Sequence, residues 1–314
     1  MKTTQKEYRF EAMGGVFQFF TYDQEIESSK LQNIFRDAEL EVHRVEEKLT
    51  DFKESPFQLI NENAGLRKTY VDEELFSLIK KSLEISRETN GVFDISYASV
   101  GHLWREAKKL GKNLSFFDRV NASRFVNYKN ISINENDLSV YLPHKEMKIG
   151  LGGIGKGYAV DRAYDILING GLKNFYVNGS GDIRVHSSEN APRKWRFGVR
   201  NPFSKSSENK IGVVQLSTGS ISSSGNYVEK NRSDNNKSDH HIIDPKFGFS
   251  RNQVVASTIF SDDAMTSDVY ATVVMNMDKK NALKFLDEKN IAGAIVTKEG
   301  QCVLSARALN NFGI

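Results

Sequence analysis

Three stretches of this chain hold side chains whose types and spacing suit chemistry. The first is Lys148-Ile149-Gly150-Leu151-Gly152-Gly153-Ile154-Gly155-Lys156-Gly157-Tyr158-Ala159-Val160-Asp161. Gly150, Gly152 and Gly155 satisfy G-x-G-x-x-G. Gly150, Gly155 and Lys156 fall one residue short of the phosphate loop G-x-x-x-x-G-K-[ST], because Gly157 stands where the magnesium-binding hydroxyl belongs. Glycines let backbone approach an anion closely, and free N–H groups at a helix start favour phosphate, so an anion-binding turn with one cation is expected here. The second stretch runs from Ser261 to Thr272. If a helix begins near Asp268, that carboxylate and the Thr272 hydroxyl lie one turn apart on one face. Oxygen-only ligation of this kind suits Mg²⁺, while an Asp at a helix N-terminus with an interior Thr fits the same spacing. Asp262 and Asp263 read as solvated loop residues. The third is His240-His241-Ile242-Ile243-Asp244-Pro245. Adjacent residues of an extended segment face opposite ways, so at most one histidine enters a site, as a general base or as a structural residue. His43, His102, His144 and His186 show no partner pattern.

The elements that must position these residues follow from periodicity. Tyr8–Tyr22 alternates around Gly14-Gly15, giving a hairpin or bulged strand. Leu31, Ile34, Phe35, Ala38, Val42, Val45 and Leu49 recur at helical spacing. A second helix follows Asp72, with Leu75, Phe76, Ile79 and Leu83 inward and Asn90-Gly91 as its stop. Residues 115–141 read as short strands and loops. A helix from Tyr158 to about Ile168 closes at Gly170-Gly171, and Asn174–Val185 reads as strand, turn at Asn178-Gly179-Ser180-Gly181, and strand, continuing into Trp195–Val199. Residues 204–210 and 229–239 are polar loops. Val254–Ile259 is a strand, Ser267 caps a helix through Met275, Asp278 starts another through Leu286, and strands at Gly293–Thr297 and Gln301–Ser305 end the pattern. Without regular βαβ alternation, the fold class is α+β. The same order argues against a dinucleotide domain, whose glycines follow a first strand. It also argues against a phosphate-loop enzyme, because Phe175-Tyr176-Val177-Asn178 ends in no magnesium-binding acid.

Composition narrows the partners. The 314 residues carry a net charge of +3 with cations and acids interspersed, which gives no nucleic-acid footprint. The single cysteine, Cys302, excludes an internal disulfide and any cysteine-clustered metal site, and its apparent strand makes it a buried structural thiol. No segment reaches the roughly 20 apolar residues of a membrane span, so no stable membrane insertion is expected. The start shows no apolar run or lipobox cysteine. As written the chain is expected to be cytoplasmic, or periplasmic or membrane-anchored if an export signal has been removed.

Read in order, these pieces resemble the ApbE family of FAD:protein FMN transferases. The family's Met-Gly motif is matched at Met13-Gly14, its S-x-Y…S…L-N segment at Thr50-Asp51-Phe52 through Leu59-Ile60-Asn61, and its G-x-F-D and L-W at Gly91-Val92-Phe93-Asp94 and Leu103-Trp104. The hallmark D-L-G-G-I-A-K-G-Y-A-V-D is matched from Gly150 to Asp161, N-x-G-G-D-I at Asn178–Ile183, H-I-I-D-P at His241–Pro245 and A-D-A-x-A-T at Ser267–Thr272. The resemblance implies mixed, largely antiparallel sheets with packed helices over residues 1–314, as one domain or two intimately packed subdomains. It implies an Mg²⁺-dependent enzyme that transfers the FMN moiety of FAD to a Thr or Ser hydroxyl of a target flavoprotein, releasing AMP. Some relatives hydrolyse FAD to FMN and AMP instead, and a non-catalytic FAD-binding protein is the third reading. Carried over by position, Gly153 (carbonyl), Asp268 and Thr272 would hold the metal. FAD would touch Met13, Phe52, Val92, Phe93, Asp94, Gly150, Lys156 and the His241–Ile243 segment, with His241 as base and Lys156 on the pyrophosphate. Phe52 and Phe93 offer flat apolar surface for its rings. Three departures stand out: Gly150 replaces the family's Asp, Phe52 replaces a Tyr, and Ser180 interrupts paired glycines.

Overall fold

The computed structural model describes residues 5–112, 114–190, 192–204, 206, 208–225 and 253–311. The strands are β1 (Lys6–Ala12), β2 (Gly15–Thr21), β3 (Thr69–Tyr70), β4 (Ser132–Asn134), β5 (Ser139–Tyr141), β6 (Phe175–Gly179), β7 (Asp182–His186), β8 (Trp195–Arg200), β9 (Lys210–Leu216), β10 (Gly219–Gly225), β11 (Val254–Ser261), β12 (Ala292–Thr297) and β13 (Cys302–Leu304). The helices are α1 (Ser28–Leu49), α2 (Pro56–Glu62), α3 (Glu73–Glu88), α4 (Ala98–Lys109), α5 (Phe116–Ser123), α6 (Gly155–Asn169), α7 (Ala264–Met275), α8 (Lys279–Glu288) and α9 (Ala306–Asn311). The chain divides into two compact units, one of Met1–Glu46, Gly153–Val228 and Asn252–Ile314, the other of Glu47–Gly152 and Glu229–Arg251. Among the described residues, no helix is long and apolar enough to cross a membrane.

The first unit is built on an antiparallel sheet of order β1-β2-β6-β7-β10-β11-β12-β13. β1 and β2 form the hairpin, joined by Met13-Gly14 with φ of +53° and +74°. Two positive φ values in a two-residue loop match the right-handed twist of the flanking strands. The β6–β7 loop repeats the device at Ser180-Gly181, with φ of +58° and +107°. One face of the sheet receives α1, α6 and α7. The inward α1 residues Leu31, Ile34, Phe35, Ala38, Val42 and Val45 are buried, as their spacing predicts. Gly179 lies so close to α6 that a Cβ there would sit 2.6 Å from Val160 Cγ2. The opposite face is covered by the β8–β9 hairpin, with Tyr176 edge-on to Trp195 and Phe197.

Several sequence expectations change here. β10 reads Gly-Ser-Ile-Ser-Ser-Ser-Gly and carries no strand signal, yet it is a central strand. Its small hydroxyl side chains let α7 sit close, and Ser220 and Ser222 are both hydrogen-bonded to Ser267. Cys302 is exposed rather than buried, because β13 is a three-residue edge strand.

In the second unit, α3 runs as expected. The Asp72 carboxylate caps it by accepting from Leu75 N–H (2.9 Å), and Asn90 and Gly91, both at positive φ, end it. Residues 115–141 are more helical than their composition suggests. Ser115 Oγ accepts from Asp118 N–H and starts α5. Beyond it lies a small antiparallel sheet of order β3-β5-β4.

Candidate active site

The chemistry of the first unit gathers where the N-terminal turns of α6 and α7 meet over β7 and β10. Gly157 makes the meeting possible, since a Cβ on it would lie 2.4 Å from the Ala264 carbonyl oxygen and 2.7 Å from Met265 Cα. A phosphate-loop Ser or Thr at this position would therefore force the α7 backbone to shift. The α7 N-terminus is also not where the sequence placed it. Asp263, not Ser267, is the N-cap and accepts from Thr266 N–H (2.7 Å). Asp161, reaching across from α6, accepts from Ala264 N–H (2.8 Å) and Met265 N–H (2.9 Å). Orphan donors of a helix terminus are thus satisfied from another helix, which no local pattern reveals. Burial pushes the Asp161 carboxyl up to about 6, although those two N–H donors and Arg184 pull the other way.

Asp268 lies in the second turn of α7 and is only 3% exposed. Its Oδ2 accepts from Gly157 N–H at 2.9 Å, so the anion that sits at the start of α6 is the protein's own carboxylate. Lys156 donates to Asp182 and stands 3.9 Å from Asp268 Oδ1. Two buried carboxylates thus face one ammonium. Desolvation, then the Asp182 charge, holds the Asp268 carboxyl well above the usual range, while Lys156 and the Gly157 N–H oppose them. Coulombic attraction to Asp182 and Asp268 outweighs burial and raises Lys156. Thr272 is half-buried one turn beyond Asp268, and Gly153 lies in the turn entering α6.

This arrangement fits a hard divalent cation. The donors are oxygens, and the buried cluster carries more negative than positive charge. Among the described residues, no group of three or more His, Cys, Asp or Glu is placed to hold a metal. Few protein ligands is the regime of Mg²⁺, which keeps waters and shares its shell with phosphate oxygens. Asp182 and Asp161 lay inside motifs read from the sequence but received no role there. Their signal was an acid directly after a tight glycine turn and one on an inward helix face.

The other expected contacts are distributed as follows. Met13 is half-buried in its hairpin loop, and its N–H donates to Glu46 Oε1 (2.6 Å). In the second unit, Phe52 is 72% exposed, whereas Phe93 is buried at 6%. Val92 is half-buried. Asp94 is buried, with Oδ1 accepting from Ser96 N–H and Oγ–H to hold the local turn and Oδ2 accepting from Tyr128 N–H to tie that turn to a distant segment. At Gly150 a Cβ would lie 3.1 Å from Ala98 Cβ and 3.2 Å from Tyr97 Oη. An aspartate would press on both, so Tyr97 and Ala98 fill the space that the departure from the family pattern leaves. His241 and Ile243 lie outside the described residues.

The structure is therefore an antiparallel α+β fold with two buried carboxylates and a lysine where the N-terminal turns of α6 and α7 meet. The chain belongs to the ApbE family, whose model matches residues 13–296. It is similar to a FAD:protein FMN transferase of Klebsiella pneumoniae, 25% identical over 297 residues that cover 93% of this chain and 88% of that protein. A second relative of the same name, from Vibrio cholerae, is 25% identical and covers 78% and 73%. Among solved structures, the ApbE protein of Thermotoga maritima superimposes with a TM-score of 0.86 at 26% identity, covering 98% of this chain and 99% of the other. The flavin transferase ApbE of Vibrio cholerae shares the fold, with a TM-score of 0.81 at 20% identity over 98% and 99% of the two chains.

Proposed function

We propose that this protein is an Mg²⁺-dependent enzyme that transfers the FMN moiety of FAD to a Thr or Ser hydroxyl of an acceptor flavoprotein and releases AMP. The observation that carries this reading is the pair of buried carboxylates, Asp182 and Asp268, facing the Lys156 ammonium, in a chain whose relatives are named FAD:protein FMN transferases. In the reaction an acceptor oxygen forms a bond to the FMN phosphorus, and the pyrophosphate bond to AMP breaks, with AMP taking the electron pair. Such a transfer needs charge neutralisation and alignment more than covalent help. Asp268, Thr272 and the Gly153 carbonyl would hold Mg²⁺, which when bound supplies positive charge to the non-bridging oxygens. Asp182 fixes the Lys156 ammonium beside Asp268, and that cation serves the pyrophosphate. His241 takes the hydroxyl proton, a role worth about 10²–10⁴-fold in rate.

The test is incubation with FAD, Mg²⁺ and a flavoprotein bearing an acceptor Thr, read by in-gel flavin fluorescence, an FMN mass increment and AMP release. Free FMN formed without acceptor would replace this reading with FAD pyrophosphatase. Tight FAD binding without turnover in saturating Mg²⁺ would reduce it to flavin binding. His241→Ala should slow transfer more than it weakens FAD binding, and unchanged turnover removes that residue from the mechanism.

A further inference from the structure

In the second unit the loop between α1 and α2 presents Phe52 to solvent, an expensive place for a phenyl ring. One face of that ring is covered, with the Arg105 guanidinium 4.4 Å from the centroid. Arg105 is itself held. Its two terminal nitrogens donate to Asp51 Oδ1 (3.0 Å) and Oδ2 (2.7 Å) in a bidentate fork, and His102 Nε2 lies 3.0 Å from the same Oδ2. Asp51 precedes Phe52, while His102 and Arg105 are three residues apart on α4, so the helix grips the loop on both sides of one peptide bond. The Phe52 N–H donates to Thr50 Oγ1 at 3.2 Å. A planar cation under an aromatic ring, anchored by a bidentate carboxylate, is a preorganised stack whose upper face is open.

We propose that Arg105 is a positioning residue that holds the Phe52 ring as a platform for a planar heteroaromatic ring of the substrate, with Asp51 and His102 fixing Arg105. This rests on FAD being the substrate, which offers two such rings, isoalloxazine and adenine. Lysine at 105 keeps the charge and an ion pair with Asp51 but has no flat face to stack, so it separates positioning from charge.

The experiment measures dissociation constants of FMN and of AMP, separately, for wild type, Phe52→Leu, Arg105→Ala, Arg105→Lys and the Phe52→Leu/Arg105→Ala double variant. Hydrogen exchange over residues 50–55 is followed in the same proteins. Arg105→Ala and Arg105→Lys should each weaken one of the two fragments about two- to fivefold. The fragment affected identifies the ring on the platform. The double variant should bind no worse than Phe52→Leu alone. Arg105→Ala should speed exchange at residues 51–54 more than elsewhere in the chain, beyond what the fall in melting temperature from losing the ion pair to Asp51 accounts for. Wild-type affinity in Arg105→Lys, multiplying effects in the double variant, or unchanged exchange would each overturn the role of Arg105 while flavin binding stands. A wild-type protein that binds neither fragment nor FAD would overturn the flavin reading itself and the platform's ligand with it.

Discussion

Replacing Gly157 with alanine sets two physical effects against each other. Inside a helix, Ala is favoured over Gly by about 1 kcal/mol, so local propensity alone predicts a more stable protein. The tertiary structure predicts the reverse. The new methyl carbon would stand 2.4 Å from the Ala264 carbonyl oxygen and 2.7 Å from Ala264 C and Met265 Cα. Ordinary contact begins roughly 1 Å further out, and these are backbone atoms that cannot rotate away. They are also pinned by the Asp161 and Asp263 caps, so moving them lengthens the bonds to Ala264, Met265 and Thr266 N–H. Overpacking of this kind costs about 1–3 kcal/mol, and weakening the Gly157 N–H bond to Asp268 adds about 1 kcal/mol. Subtracting the propensity gain leaves a net loss of about 1–3 kcal/mol, which for a chain of 314 residues lowers the melting temperature by roughly 1.5–5 °C. Thermal unfolding followed by circular dichroism reads this directly. Gly212→Ala in β9, where a Cβ meets nothing within 4 Å, serves as the control and should melt within about 1 °C of wild type. A melting temperature for Gly157→Ala at or above wild type would refute the close approach of α6 and α7.

Other outcomes follow from the same geometry. Asp268→Asn should abolish Mg²⁺-dependent AMP release while the circular dichroism spectrum stays that of wild type, and retained turnover would exclude Asp268 as a ligand. Burial alone would raise the Asp51 carboxyl, but His102 and Arg105 outweigh it and hold it at about 2. A carboxyl depressed in the folded state contributes stability above its unfolded value near 4 and loses it as pH falls towards 2. Asp51→Asn should therefore cost up to about 2.5 kcal/mol at pH 7, with the difference from wild type shrinking between about pH 4 and pH 2. Urea midpoints at pH 7, 4 and 2.5 check this, and a constant difference would contradict it. Ser180 is exposed and held at φ +58°, which disfavours any residue with a Cβ. Ser180→Gly should raise the melting temperature by about 1–3 °C despite losing the 3.2 Å bond to the Val16 carbonyl, and a lower value would mean that this bond outweighs the backbone strain.

The parts of the fold that were legible are those whose information is local. α1 and α3 announce themselves because seven and four apolar residues at helical spacing can be buried only on one face, and all of them are. The two hairpins are each marked by a loop glycine, Gly14 and Gly181, that tolerates positive φ. β10 was illegible because serine signals turn or loop, and only the presence of α7 above makes small hydroxyls the right side chains for a buried strand. The start of α7 was misread for a related reason. Its first turn is completed by Asp161, 103 residues away from Ala264, so Ser267 looked like a cap when it is an interior residue. The thiol of Cys302 was expected inside because strand composition cannot tell an edge from a centre.

The sequence by itself determined the family and the α+β class, because ordered motifs and hydrophobic periods are properties of the chain alone. It could not say what the glycines of residues 150–157 are for. Read locally, they offer helix N–H groups to a phosphate. In three dimensions Gly157 is a point of contact between two helices, its N–H is taken by Asp268, and the Lys156 ammonium is shared between Asp182 and Asp268. Steric exclusion and the pairing of charge depend on which backbone atoms and carboxylates come together from 26 to more than a hundred residues apart. Only the folded chain decides that.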